Sequence, residues 1–255
     1  MSGVLQWLDT HGVDRQRAVE QATDMLTEGY RRKYGKMIPP ELHRLAALVS
    51  AKISYVNNLP GGARLVPVAG GFDILVDSSL NAFRTRTAIA HELAHTLFYS
   101  SQEPIPKRLS PPSKNEEHFC FDVARRILAP EWMIRSVGIS NLRDTSEMFL
   151  VTSKTFKLSR QMASRVLLQD YCFLSGVAAV WTKHEQGWKM KPGNCYASPD
   201  LSRKERMRLH GVARAWLGRE RSYHDTPTTG IVGSLGSDGR TAFVLIARGA
   251  AARAL

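Results

Sequence analysis

Cysteine is scarce in this chain of 255 residues. Cys120, Cys172 and Cys195 are odd in number and widely spaced, so neither a disulfide framework nor a thiolate zinc cluster is indicated, and a reducing compartment fits. Long apolar runs are missing as well. No stretch approaches the roughly 20 residues that a membrane span needs, and the opening MSGVLQWLDTHGVDRQ has neither the basic start nor the apolar core of a signal peptide. The expectation is a cytoplasmic protein without membrane contact. Proline, glycine and glutamine show no excess that would indicate disorder, and a hydrophobic fraction of 43% with 23% charged residues is that of an ordinary folded protein.

Acidic residues are also in short supply. Lys and Arg number 35 against 23 Asp and Glu, a formal charge of +12, which raises encounter rates with nucleic acid or acidic proteins and leaves direct DNA contact open. The charge concentrates in YRRKYGK (30–36) and SRKERMRLHGVARAWLGRER (202–221). In the second run the charges alternate with Met207, Leu209, Val212 and Trp216, whose burial would turn the basic side chains toward solvent.

The chain is long enough for more than one folded unit. Residues 14–31 and 40–52 have helical periodicity; KISYV, ARLVPV and FDILVD, separated by NNLPGG and AGG, read as strands of a small antiparallel sheet. A Pro- and Ser-rich loop at 100–113 precedes KNEEHFCFDVARRILA, where Cys120, Val123, Ala124 and Ile127 form one helical stripe. Short helical pieces fill 131–170. From 171 the pattern becomes a hairpin, the basic helix, and a second hairpin turning at Ser-Asp-Gly (237–239). The expectation is an α+β fold with divisions at 1–130, 131–170 and 171–255.

Within the helical stretch TAIAHELAHTLFY, His91 and His95 are four residues apart with Glu92 directly after the first. Positions one turn apart share a helix face, so both imidazoles can reach one ion, while Glu92 stands beside them, placed to accept a proton from water at the metal. Such a pattern arises by chance in roughly one chain in a hundred of this length, so its surroundings matter. Ile89, Leu93 and Leu97 are offset from the histidines and would hold the helix to a core. Catalytic zinc takes three protein ligands, and the helix starting at Ser113 offers Glu116, Glu117 and His118. Ser113 and Glu116 fit a capping box, which would occupy the Glu116 side chain with the Ser113 amide. That favours Glu117, at the edge of the buried stripe, as the third ligand, with His118 and Asp122 turned to solvent. Tyr99, Arg84 and Arg86 are near enough in sequence to be considered as oxyanion stabilisers.

From about 45 to 168 the chain resembles the ImmA/IrrE family of cytoplasmic zinc metallopeptidases, anti-repressors of mobile elements and stress regulons. The resemblance lies in FDILVD, RTRTAIAHELAHTLFY, EEHFCFDVARRILAP and, more loosely, FKLSRQMASRVL. It implies a zincin-like domain over 1–130, a helix-turn-helix-like segment over 131–170 and a C-terminal α/β sensor-like domain over 171–255. It also implies Zn2+ held by His91, His95 and Glu117, Glu92 as general base, and a helix-turn-helix repressor as the protein substrate, cleaved to relieve repression. One position departs. The family places Asn or Asp four residues after the ligand glutamate, where it could orient a histidine; here Phe121 stands there, so either another carboxylate such as Asp77 substitutes or the site is weaker. A different class of function, a non-catalytic zinc-containing module that binds DNA or protein, would draw on the basic charge and on 143–168, but has no use for a glutamate at 92.

Overall fold

A computed structural model describes residues 14–218, 230–235 and 241–249, apart from 36, 101, 143 and 186. The chain divides into two compact units, Met1–Met133 and Ile134–Leu255. The fold is α+β, as its alternation of helical and strand periodicities implied. Among the described residues no helix is long and apolar enough to cross a membrane.

The first unit begins with helix α1 (Arg15–Tyr34), which buries Ala18, Val19, Ala22, Leu26 and Tyr30 along one face and stops at Gly35. Helix α2 (Leu42–Leu48) follows, its entry tied down by the Glu41 amide donating to the Tyr30 hydroxyl. Strands β1 (Ala51–Val56), β2 (Ala63–Val68) and β3 (Gly71–Asp77) make a sheet of order β1-β3-β2.

That sheet is mixed rather than wholly antiparallel: β2 pairs antiparallel with β3, whereas β1 runs parallel to it. Sequence spacing marked the strands but not their order. β3, with Phe72, Ile74 and Val76 all buried, takes the centre, where its apolar side chains are most fully covered, and β1 is left to pair on its far side. Gly71 permits the approach, since a Cβ there would lie 1.9 Å from the Ser50 carbonyl oxygen.

Asn81 caps helix α3 (Ala82–His95), its side-chain oxygen accepting from the Arg84 amide at 3.0 Å. Ile89 and Leu93 are buried as expected, but Leu97 is only half-buried and Phe98 replaces it in the core. The α-helix ends at His95 and tightens into a 3₁₀ turn at Thr96–Phe98, which shifts the periodicity. The two-residue strands β4 (Tyr99–Ser100) and β5 (Lys107–Arg108) then pair antiparallel within the segment read as loop. Ser113 caps α4 (Lys114–Leu128), which packs Phe119, Cys120, Val123, Ala124 and Ile127 inward and lies against α3.

After α5 (Glu131–Ser136), the second unit contains α6 (Thr145–Thr155), α7 (Arg160–Arg165), β6 (Leu174–His184), β7 (Gly187–Ala197), α8 (Arg203–Gly218), β8 (Gly230–Leu235) and β9 (Thr241–Gly249). Its antiparallel sheet has the order β7-β6-β9-β8. Both faces of the inner strands are covered. Val177, Ala179, Trp181, Ala242, Val244 and Ile246 pack with Ala213 and Leu217 of α8. On the other face Phe149 of α6 stacks on Phe243, and the Thr145 hydroxyl donates to the Ala247 carbonyl. Gly233 leaves room for Trp216, which occupies the place of a Cβ.

The face that α8 buries differs from the expectation. Ala213 and Leu217 are its buried residues, Leu209 and Trp216 pack partly against the same core, and Met207 and Val212 stay outside at 66% and 41% exposure. Alanine supplied no hydropathy signal strong enough to mark the inner face. The Ser-Asp-Gly turn and residues 219–221 of the basic run lie outside the described residues.

Candidate metal centre

His91 and His95 lie one turn apart near the end of α3, and the first turn of α4 brings Glu117 to them. His91 Nε2 is 3.1 Å from His95 Nε2, and the Glu117 oxygens lie 3.2 Å from the first and 3.5 Å from the second. Ligands held tetrahedrally at zinc distances are separated by about 3.3–3.4 Å, so this triangle has the dimensions of one zinc face. His95 Nδ1 lies 2.8 Å from Glu116 Oε1, an acceptor, so the proton of His95 belongs on Nδ1 and the Nε2 lone pair faces the triangle. Two acceptors, His95 Nε2 and the Glu117 carboxylate, thus converge with His91 Nε2 on a point that a cation satisfies. The residues fit the metal.

Burial differs from the sequence expectation for the two glutamates. The Glu117 side chain is half exposed, whereas that of Glu116 is 1% exposed. Ser113 does cap the Glu116 amide, yet the Glu116 carboxylate does not close the capping box: it pairs with His95 and with the Arg108 guanidinium. Glu116 shares a face with Cys120, Val123 and Ile127, so it points into the core, and Glu117, about 100° round the helix, reaches the histidines from the rim. His118 is exposed, while Asp122 pairs with Arg15 and Arg125.

Asp77 does not orient a histidine. Its carboxylate accepts from the Ser79 and Leu59 amides, and these bonds, Ser79's foremost, hold it below the usual range. Phe121 lies against His91 with ring centroids 4.1 Å apart, and His91 Nδ1 is buried with no hydrogen-bond partner among the described residues. Burial, then the neighbouring His95, pushes the His91 imidazole down to about 4.

Glu92 is buried beside this triangle, and burial pushes its carboxyl above the usual range. The Leu65 amide of edge strand β2 donates to it, so strand and helix meet at the site. Cys120 Sγ is 3.5 Å from His95 Nδ1, on the Glu116 side of that ring, and burial, reinforced by Glu116, drives its thiol far up. Of the three residues considered as oxyanion stabilisers, Arg84 is exposed, Arg86 donates to the Pro40 carbonyl, and Tyr99 accepts from Arg108 with its ring under that guanidinium. Sequence reasoning missed Arg108: only the β4–β5 ladder, which pairs it with Tyr99, brings it to Glu116.

No family model matches the chain, and no curated protein is significantly similar to it in sequence. Among solved structures the fold is similar to that of a Mycobacterium tuberculosis transcriptional regulator, with a TM-score of 0.51 at 14% identity, over 92% of this chain and 81% of that one.

Proposed function

We propose that this protein is a zinc-dependent endopeptidase that cleaves a helix-turn-helix repressor and so relieves repression. The observation that carries the peptidase reading is the convergence of His91 Nε2, His95 Nε2 and the Glu117 carboxylate beside a buried glutamate that is not one of them. A structural site would need no such fourth group. Zinc held by these three residues would supply Lewis acidity toward a peptide carbonyl and bring the acidity of water near pH 7.

Glu92 serves as general base. Its raised proton affinity suits a group that accepts a proton from water and returns it to the leaving amine. Strand β2 forms an edge of its sheet, and its Leu65 amide reaches Glu92, so an extended peptide laid along that edge would pass the base. This supports a polypeptide substrate. The repressor as substrate rests on the ImmA/IrrE resemblance, and the name of the structural neighbour, a transcriptional regulator, accords with a regulatory task.

The deciding experiment incubates the purified protein with candidate helix-turn-helix repressors and compares it with Glu92→Gln. The substituted protein should keep its zinc and its fold, since Gln is nearly isosteric, and lose cleavage by about 10²- to 10⁴-fold. It should still bind the repressor and trap the complex. Relief of repression in cells by Glu92→Gln equal to that of the parent would replace hydrolysis with the second reading, a non-catalytic regulatory module. The observation that favours this second reading is the exposed basic face of α8, with Arg203, Lys204, Arg208 and Arg214.

A further inference from the structure

Resting on the reading of His91, His95 and Glu117 as a metal centre, we infer that Glu116, held in turn by Arg108, is the positioning residue that fixes the tautomer and ring angle of His95. An imidazole ligates through one nitrogen only when the proton sits on the other, and either tautomer is open to a histidine with no partner. Glu116 Oε1 stands 2.8 Å from His95 Nδ1, and the Arg108 guanidinium, which can only donate, reaches both Glu116 oxygens. The carboxylate therefore meets Arg108 as an acceptor and is left to accept from Nδ1–H. Buried at 1% exposure, it would be costly without that cation.

Arg108 is itself fixed. Its Nε donates to the Ser110 carbonyl at 2.7 Å, its Nη1 to the Tyr99 hydroxyl at 3.4 Å, and its guanidinium lies 5.4 Å from the centre of the Tyr99 ring. Tyr99 and Arg108 are ladder partners in the short β4–β5 pair, and Tyr99 follows His95 by one turn of 3₁₀ helix. The chain leaving the histidine helix thus returns to clamp its last histidine. Adjacent glutamates divide the work: Glu117 reaches the Nε2 side of His95 and Glu116 the Nδ1 side. Among the described residues His91 Nδ1 has no such partner, and the Phe121 ring lies against this imidazole. The two histidines are unequal, and His95 is the anchored one.

The test measures zinc affinity of the full-length protein by competition with a chromophoric chelator for the parent, Glu116→Ala and Glu116→Gln, with the His95 tautomer read by ¹⁵N NMR on the zinc-free parent and Glu116→Gln. Glu116→Ala should weaken zinc binding by about 10- to 100-fold while leaving its stoichiometry, and Glu116→Gln, whose one carbonyl oxygen can accept from Nδ1–H only with its NH2 turned toward the donors of Arg108, should recover only part of the loss. The NMR spectra should report His95 protonated at Nδ1 in the parent, with a share protonated at Nε2 in Glu116→Gln, where an amide NH2 turned away from Arg108 donates to Nδ1. Equal affinity in Glu116→Ala and the parent, or a His95 protonated at Nε2 in the parent, overturns the inference while the metal centre stands. A parent that takes up no zinc overturns the metal centre itself. Should Glu116→Ala fail to fold, the tautomer and the Gln affinity still decide.

Discussion

The N-terminal unit buries ionisable groups in a cluster between two helices; the C-terminal unit buries aromatic ones under a single helix. Between α3 and α4, His95, Glu116 and Arg108 form a connected series of hydrogen bonds, and Glu92 accepts from a strand amide. Beneath α8, the Trp181 and Trp216 ring nitrogens and His210 Nδ1 have no partner among the described residues, and the Cys195–His210 contact joins a thiol raised by burial to an imidazole lowered by it. Both members of that pair are driven to the neutral form, so it behaves as packing. The difference teaches where this molecule invests specificity: directional bonds set angles at the first site, whereas area and shape suffice at the second.

Metal binding is where the comparison breaks most completely. Glu117→Ala should abolish uptake of about one zinc per chain, because it would remove one of the three proposed ligands, and elemental analysis after dialysis reads this directly. Retained zinc in that variant would move the third ligand to another residue.

Trp181→Ala should do the reverse. It should cost about 3–5 kcal/mol of stability, since a side chain only 4% exposed leaves a large cavity, while zinc per folded chain stays unchanged. Denaturant titration with metal analysis checks both halves. A loss of zinc from the folded variant would show the two regions to be coupled.

Acid sharpens the contrast further. Folding lowers the His91 proton affinity to about 4 from an ordinary 6.5, so the unfolded chain binds that proton first as pH falls. The zinc-free protein should therefore lose stability between about pH 6.5 and pH 4, by about 3 kcal/mol at most, and the contribution should be fully present at neutral pH. His91→Gln should flatten this part of the melting-temperature profile; an unchanged profile would assign the effect elsewhere.

The smallest effect is expected on the outer face of α8. Met207→Ala and Val212→Ala should change stability by less than about 0.5 kcal/mol because both side chains are largely outside the core. A larger loss would mean that this face is covered in solution.

How far the sequence reached depended on how local each feature is. His91, Glu92 and His95 were legible because helix geometry fixes residues four apart without reference to the rest of the chain. The α+β class followed from the switch between helical and alternating periodicity. Less local features were not legible. The choice of Glu117 came with a mistaken picture of its surroundings: it lies at the exposed rim, and Glu116, assigned to capping, carries its carboxylate into the core. The parallel β1–β3 pairing and the inner face of α8 were missed for a related reason, since pairing partners and small-residue faces leave little trace in hydropathy.

The sequence by itself determined the helix that aligns two imidazoles with a glutamate, the cap at Ser113 that starts the opposing helix, and the apolar run that makes β3. These depend on backbone geometry over a few residues, which chain chemistry alone dictates. Only the tertiary structure decided that Arg108 reaches Glu116, that Phe121 covers His91 and that β2 brings an amide to Glu92. Each joins residues separated by 8 to 30 positions, and such contacts form when the packing of whole elements, rather than local propensity, minimises the free energy.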